Sequence, residues 1–242
     1  MQFSGPDDLA WQDISRQGNC SVLIGAWVIV QGRNDRINAI VQIRNGDVVG
    51  VESKHHLVPV VESQTIGSRW LVNMGWVPKD AVRDVMSPGV AAEILKPFGK
   101  LQGIQSRVCY DIFFGPAYLD GLNETHQFMT CSLGEAYDDS GIFQQLSMSH
   151  AGIRAIESRR SLVRTSLGGI TSAFDPLGRE IEPHTVRLGM SFYRIPVYQD
   201  MSFYARTGDW IVWFSLSVTG GWIGRSVLQR RRNGVKGEVN EA

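Results

Sequence analysis

Several features that would assign a chain to a well-marked class are scarce in this sequence of 242 residues. Its three cysteines, Cys20, Cys109 and Cys131, are too few and too scattered for a disulfide framework or a zinc site. Lysine plus arginine and aspartate plus glutamate balance at 24 each, so the overall charge gives no indication of a nucleic-acid partner. Residues 1–10 have neither the basic nor the apolar region of a signal peptide. Without disulfides or a structural zinc ion, the chain is expected to be stabilised by an ordinary hydrophobic core.

The sequence also lacks an apolar run of about 20 residues, the length that crosses a bilayer core. The strongest candidate is the uncharged stretch 210–224, which extends to Leu228 if the Arg225 side chain reaches the membrane interface. Tryptophans near its ends suit such an interface, and the following arginines favour a cytoplasmic C-terminus. We therefore expect a transmembrane helix at 209–229, with a buried or interfacial helix as the alternative, and a basic, disordered cytoplasmic tail at 230–242.

Strand-like and helix-like segments alternate through the rest of the chain, which predicts the α/β class. The predicted strands are 20–30, 37–43, 48–51, 107–113, 128–132, 162–165 and 169–174, and the predicted helices are 6–17 and 142–157. Asn45-Gly46 predicts a tight hairpin, and Asp175–Gly178 predicts a turn. In the helix 142–157, we expect an inward stripe made of Phe143, Leu146, His150 (or Met148), Ile153 and Ile156. Prolines break up 63–104, which is either a loop over the core or an apolar arm for a lipid chain.

Two segments contain the residue types of a thiol nucleophile. Cys109 lies near the end of the predicted strand 107–113, and Lys54 is followed eight residues later by Glu62. The thiolate is the reactive form of cysteine, so a nucleophilic cysteine needs a nearby cation and a group that takes its proton. A lysine supplies the cation and can stabilise a developing oxyanion. Cys20 and Cys131 lie in apolar strands and are expected to be small core residues.

The segment Lys54–Glu62 resembles Lys-x-x-Leu-Val-Pro-Phe-Gly-Glu, and Cys109–Asp111 resembles Cys-Tyr-Glu. These are motifs of the nitrilase (carbon–nitrogen hydrolase) superfamily and, within it, of the catalytic domain of apolipoprotein N-acyltransferases. The resemblance covers about residues 8–232, and the segment 203–210 is similar to one that soluble nitrilases do not have. The chain departs from the pattern at Val60-Val61, at Asp111, which is one methylene shorter, and at 132–137, which replaces Asn-Asp-Ala-Trp-Phe.

The resemblance implies a four-layer αββα sandwich over 1–208, with its first strand missing. It implies Cys109 as the nucleophile, Lys54 as the oxyanion-stabilising residue and Glu62 as the residue that orients Lys54 or relays a proton. Tyr110 and Asp111 would support them, and no metal or organic cofactor is implied.

The function implied by the resemblance is transfer of a fatty acyl group from a phospholipid to the N-terminal cysteine amine of a lipoprotein. The catalytic domain would lie on the extracytoplasmic side of the inner membrane. The alternatives are an amide or nitrile hydrolase of the same superfamily and a membrane-anchored binding protein without turnover. The family's general-base glutamate lies in a Trp-Pro-Glu-like segment, and this chain has no glutamate before Glu52. We therefore expect either the C-terminal part of a longer protein, without its N-terminal membrane helices, or an impaired short form.

Overall fold

The computed structural model describes residues 2–3, 8–29, 36–59, 62, 66–75, 86–89, 95, 103–136, 140–183, 185–187 and 189–239. The chain divides into two compact units, residues 1–205 and 206–242. In the larger unit, helices pack against two main β-sheets, which confirms the predicted α/β class. The predicted division at 208/209 lies close to this boundary.

The first sheet is antiparallel, with its strands in sequence order. The strands are β1 (Gln2–Phe3), β2 (Ser21–Ile29), β3 (Arg36–Arg44) and β4 (Asp47–Ser53), and helix α1 (Asp8–Gln17) packs against β2 and β3. The sequence does not predict the short β1, which pairs with the far end of β2. Asn45 and Gly46, with φ of 52° and 83°, form the predicted hairpin between β3 and β4. Left-handed conformations at both central residues match the right-handed twist of the paired strands.

The second sheet begins with three parallel strands and ends with two antiparallel ones. Its strands are β5 (Ile104–Val108), β6 (Phe128–Gly134), β7 (Ser161–Leu167), β8 (Ser172–Phe174) and β9 (Glu180–Ile181). Because β5, β6 and β7 are parallel neighbours, their carboxyl ends lie along one edge of the sheet. The other elements of this unit are α2 (Ile66–Asn73), α3 (Gly115–Leu119), α4 (Ile142–Ser158) and a small hairpin of β10 (Thr185–Arg187) and β11 (Met190–Phe192).

The two sheets pack face to face, through contacts of β3 and β4 with β5 and of β2 with β6. Helix α1 covers the outer face of the first sheet, and α4 packs against β7 and β8 of the second. The layers therefore follow the predicted order αββα. One apolar cluster joins the two sheets, and a second lies beneath α4. The first consists of Ile40, Leu95, Ile104 and Val108, and the second is centred on Met129, Cys131, Ala151, Ala155 and Leu162.

The face that α4 buries agrees only in part with the predicted stripe, of which Phe143 and Met148 are partly buried and pack against the second cluster. Leu146, Ile153 and Ile156 are exposed, while the buried positions carry mostly small residues: Ser147, Ala151, Gly152, Arg154, Ala155 and Ser158. A Cβ added to Gly152 would lie 3.2 Å from the carbonyl oxygen of Gly178, which shows how closely the helix approaches the turn after β8. A helix so close to its neighbours has no room for large side chains on its inner face.

Two predicted strands also need correction. A continuous apolar run such as 20–30 is typical of a strand covered on both faces, but Trp27 in β2 is 54% exposed. Of the predicted strand 169–174, only Ser172–Phe174 forms β8, and the preceding residues bend. The predicted turn Asp175–Gly178 is confirmed by the bond from the Gly178 N–H to the Asp175 carbonyl, 2.9 Å. Most of 63–104 lies outside the described residues, so neither interpretation of that region is tested.

The C-terminal unit is dominated by α6 (Trp210–Val239), which follows the short α5 (Phe203–Thr207). In the described part of the chain, no helix combines the length and the apolar character needed to cross a membrane. The transmembrane helix predicted at 209–229 is therefore not supported: serine, threonine and glycine interrupt its apolar residues. The tail predicted to be disordered at 230–242 is helical as far as Val239.

Candidate active site

Cys109 lies where the chain leaves the second sheet. Strand β5 ends at Val108, and a turn of 3₁₀-helix follows over Cys109–Phe113, so only the first two of the seven residues predicted as a strand at 107–113 belong to a strand. Cys109 has a φ of 47°, in the left-handed region that non-glycine residues rarely adopt. Such a conformation costs about 1–3 kcal/mol and persists only where the surroundings enforce it. The sharp change of direction places Cys109 at the carboxyl edge of the parallel strands.

Lys54 follows β4 and is fully buried. Its Nζ donates to both carboxylate oxygens of Glu62, at 2.8 Å and 2.6 Å. The Val58 N–H donates to Glu62 Oε2 at 2.7 Å, so the carboxylate also binds the backbone of its own loop. Burying an ammonium is costly unless it is paired, and Glu62 supplies that partner.

The Cys109 thiol is subject to opposing influences. Burial is the larger one and raises its pKa, while the positive charge of Lys54 and backbone N–H groups of Gly134 and Tyr110 lower it. The net pKa lies above that of an ordinary cysteine. Lys54 and Glu62 both act on this thiol electrostatically, so the structure brings together the three residues that the sequence suggests. The arrangement can stabilise negative charge on sulfur, or on an oxygen bound beside it, once the thiol has lost its proton.

Asp111 links the Cys109 turn to the loop that carries Lys54. It is fully buried, and its Oδ1 accepts a bond from the His56 N–H at 2.7 Å and lies 3.0 Å from the His56 ring nitrogen Nδ1. Its Oδ2 accepts longer bonds from the N–H groups of His55, at 3.2 Å, and Val108, at 3.4 Å. The shorter carboxylate was expected to be a weak support, but it bridges segments about 55 residues apart.

Tyr110, the other supporting residue suggested by the sequence, belongs to an aromatic group beside this bridge. Its ring meets Phe114 edge-on at 5.3 Å between centroids, and the His56 ring stacks on the same Phe114 at 4.1 Å. The stacking and the Asp111 bond together fix the orientation of the His56 ring. Tyr110 contributes its backbone N–H to the thiol, and its ring contributes to this packing.

Sequence reasoning missed a charged network beneath the Lys54 loop. Arg107 and Glu52 are buried and form an ion pair of 2.6 Å, and Arg107 also donates to the Asp120 carbonyl at 2.7 Å. His55 Nε2 lies 3.4 Å from Glu52 Oε1. Burial raises the pKa of Glu52, and a hydrogen bond to Glu52 raises the pKa of His55. The available signal was one charged residue near the end of each strand, Glu52 in β4 and Arg107 in β5.

The other two cysteines differ from Cys109 and from each other. Cys131 is fully buried in β6, as expected, and burial raises its pKa to about 12. Cys20 is half-buried, which corrects the expectation that it is a core residue. Within the described ranges, no group of three or more His, Cys, Asp or Glu side chains could hold a metal ion.

Comparison with known proteins agrees with this fold and with the resemblance drawn from the motifs. No protein-family model matches the chain. The chain is 25% identical over 224 residues to a putative apolipoprotein N-acyltransferase of Bordetella parapertussis, covering 83% of this chain and 40% of that protein. It is also 25% identical over 226 residues to an apolipoprotein N-acyltransferase of Chlamydia caviae, covering 88% of this chain and 41% of that protein. The chain thus spans about two-fifths of the length of these curated relatives.

Solved structures resemble the fold at low sequence identity. An amidase from Nesterenkonia sp. superimposes with a TM-score of 0.52 at 15% identity, covering 82% of this chain and 68% of the amidase. Nit3 of Saccharomyces cerevisiae, a nitrilase-superfamily member, gives a TM-score of 0.52 at 12% identity, covering 74% of this chain and 61% of Nit3. The resemblance to the nitrilase superfamily, and to its apolipoprotein N-acyltransferases, is therefore confirmed.

Proposed function

We propose that this chain carries the thiol site of an N-acyltransferase, which moves a fatty acyl group from a phospholipid to the N-terminal cysteine amine of a lipoprotein. The observation that carries the proposal is the buried Lys54–Glu62 pair acting on the Cys109 thiol. The similarity to proteins named apolipoprotein N-acyltransferases supports acyl transfer to a lipoprotein amine, and the motif resemblance implies phospholipid as the donor. The reaction would take place at the outer face of the inner membrane, where both lipid substrates would meet the enzyme.

In the first half-reaction, the Cys109 thiolate attacks the ester carbonyl carbon of the phospholipid. A carbon–sulfur bond forms, the carbonyl electrons move to oxygen, and the Lys54 ammonium stabilises that oxyanion. Collapse of the intermediate breaks the ester carbon–oxygen bond, and the lysophospholipid leaves as an alcohol after taking up a proton. The acyl group is then held as a thioester on Cys109.

In the second half-reaction, the lipoprotein amine attacks the thioester carbonyl. A carbon–nitrogen bond forms, the amine loses a proton, and the carbon–sulfur bond breaks to return the thiolate of Cys109. Both half-reactions pass through an oxyanion at the same place, so Lys54 serves both.

Glu62 serves Lys54 in this scheme. Its Oε1 bonds to Lys54 Nζ, and its Oε2 is shared between Nζ and the Val58 N–H. A carboxylate engaged in this way orients the ammonium and balances its charge, so the orienting role is favoured over a proton relay from Cys109.

The test follows the acyl group. The protein is mixed in detergent with a phospholipid, or with the more reactive p-nitrophenyl palmitate, and with a diacylglyceryl-cysteine peptide. Mass spectrometry then looks for a hydroxylamine-sensitive acyl adduct on Cys109 and for the acylated peptide. Cys109→Ala should lose both signals, whereas Cys20→Ala, which removes another accessible thiol, should retain them.

The products separate the proposal from its alternatives. Free fatty acid formed through a Cys109 thioester, without acylated peptide, would indicate a hydrolase. Binding of the lipid with no adduct from either donor would indicate a protein without turnover. Either result would overturn the acyltransferase assignment.

A further inference from the structure

A third buried ion pair joins the residue that follows β6 to the middle of β7, outside the site described above. Glu135 and Arg164 are both fully buried, and the Arg164 guanidinium donates to Glu135 Oε1 and to the carbonyl of Ile170. Ser147 Oγ donates to Glu135 Oε1 at 2.7 Å and accepts from Arg164 at 2.7 Å. Ser166 Oγ donates to Glu135 Oε2 at 2.6 Å. The glutamate is therefore held by three side chains from α4 and β7.

Such a pair needs an explanation other than stability. Removing two charges from water costs about as much as, or more than, their mutual attraction returns, so apolar residues of similar size often stabilise a fold better. A hydrogen-bonded network of this kind does fix the position of its members, although the Arg164 Nε has no hydrogen-bond partner among the described residues. The backbone of Glu135 is fixed as well, because its N–H donates to the Leu167 carbonyl at 2.9 Å.

Fixing Glu135 also fixes the peptide unit before it. Successive N–H groups of a strand point to opposite neighbours, so when the Glu135 N–H faces β7, the Gly134 N–H faces the β5 side. The pairing of β5 with β6 ends at Val108 and Ser132, and the turn that begins at Cys109 takes the place of the strand. The Gly134 N–H therefore faces the turn at Cys109, and its effect as a donor is to lower the pKa of the Cys109 thiol.

We propose that the Gly134 N–H stabilises the Cys109 thiolate and that the Glu135–Arg164 pair is the positioning device that holds this N–H in place. The proposal rests on the proposed function in so far as Cys109 is its nucleophile. A buried thiolate needs donors around it, and this peptide group would complement the Lys54 ammonium with a donor that has no side-chain freedom to lose.

The Gly134 N–H can be removed almost alone. Gly134→Pro deletes it, and a strand tolerates proline where the N–H takes no part in the ladder. Gly134→Ala is the matched variant, because it keeps the N–H and its added Cβ meets nothing within 4 Å. We expect the pKa of Cys109, measured from the pH dependence of iodoacetamide alkylation, to be about one unit higher in Gly134→Pro than in Gly134→Ala.

Alkylation at neutral pH should fall by only about threefold between the two variants, because a thiolate of higher pKa is intrinsically more nucleophilic. The full pH profile is therefore the decisive measurement. Coincident profiles for the two variants would show that the Gly134 N–H does not stabilise the thiolate.

The positioning pair is tested by removing both of its charges, in the double variant E135L/R164M. The pKa of Cys109 should move upward as in Gly134→Pro. Arg160→Met is the control, since Arg160 is also fully buried, directly precedes β7, and donates to the carbonyls of His126 and Gln199. It should lower the thermal midpoint without moving the thiol pKa.

A folded E135L/R164M with the parent's Cys109 pKa would reduce the pair to a structural role. If the double variant does not fold, Ser166→Ala removes only the 2.6 Å bond to Glu135 and should give a smaller shift in the same direction. No shift in that variant would likewise overturn the positioning role.

These measurements need no acyl donor, so the two proposals fail separately. A shifted thiol pKa without any acyl adduct on Cys109 would contradict the proposed function and leave this inference standing. An acyl adduct that forms normally in Gly134→Pro, together with an unshifted thiol pKa, would contradict this inference and leave the proposed function standing.

Discussion

Replacing Asp111 with asparagine should loosen the connection between the loop that carries Lys54 and the turn that carries Cys109. The asparagine oxygen can keep the two bonds from His56, at 2.7 Å and 3.0 Å, but its NH₂ group must then face the N–H groups of His55 and Val108. Losing the charge assistance and leaving these donors without an acceptor should lower the free energy of unfolding by about 2–4 kcal/mol. A domain of ordinary stability, about 5–15 kcal/mol, survives such a loss.

The assay for Asp111→Asn has two readouts, urea unfolding for stability and the pH dependence of Cys109 alkylation for geometry. The positive charge of Lys54 lowers the pKa of Cys109, so a displaced Lys54 should allow that pKa to rise further. Asp175→Asn is the matched control, since Asp175 accepts backbone N–H bonds from Leu177 and Arg179, at 2.9 Å and 3.0 Å, in the turn after β8. Asp175→Asn should lower the free energy of unfolding without changing the pH dependence of Cys109 alkylation.

Two outcomes would contradict the reasoning about Asp111. If Asp111→Asn lowers stability as Asp175→Asn does but leaves the Cys109 pKa unchanged, the carboxylate stabilises the fold without positioning the lysine. If it changes neither the stability nor the pKa of Cys109, the four contacts contribute nothing measurable.

Three further expectations follow from the same geometry. Iodoacetamide should label Cys109 in the folded protein while Cys131, buried and with a pKa of about 12, stays unlabelled until urea is added; labelling of Cys131 alone would reverse the assignment. Lys54→Met should slow alkylation of Cys109 at neutral pH by roughly threefold to tenfold, because the thiol loses a nearby positive charge; an unchanged rate would place the ammonium too far away to matter. The pKa of His55 is raised by its bond to Glu52, so protonated His55 contributes stability below its ordinary pKa of about 6.5 and loses it as the pH rises through the folded-state value. The free energy of unfolding, measured in urea, should therefore decline as the pH rises above about 6.5. A His55→Gln variant whose stability declines equally with pH would exclude His55 as the source.

Much of the fold was predictable because its signals are local. The hairpin at Asn45-Gly46 depends on two residues that tolerate positive φ, and the structure has both of them in that region. Strand β6 and helix α4 were found from short runs of residues, close to their observed bounds. The spacing of Lys54 and Glu62 also fixes a contact within one loop, so the pair could be read from the motif.

The features that were missed depend on distant parts of the chain. Residues 107–113 read as a continuous strand, but the side chain of Asp111 binds backbone groups of the Lys54 loop and takes the chain out of the sheet at Cys109. Part of the buried face of α4 was misassigned for a similar reason. Its periodicity gives the position of the apolar stripe, whereas the closeness of the turn at Gly178 decides that small residues face inward.

Two of the three buried ion pairs discussed below were missed, because a charge in a sequence is ordinarily assigned to the surface. Three ion pairs of this domain are instead largely or fully buried, and in each the partners come from different elements or from opposite ends of a loop. They are Lys54–Glu62, Glu52–Arg107 and Glu135–Arg164. Each member is costly to bury alone, so an isolated substitution should cost about 3–5 kcal/mol. The first pair acts on the Cys109 thiol, the second lies beneath the Lys54 loop, and the third adjoins Gly134, whose N–H lowers the pKa of that thiol. A protein that required only stability could replace all three with apolar residues, so their position around one thiol is itself an argument that charge at this site is functional.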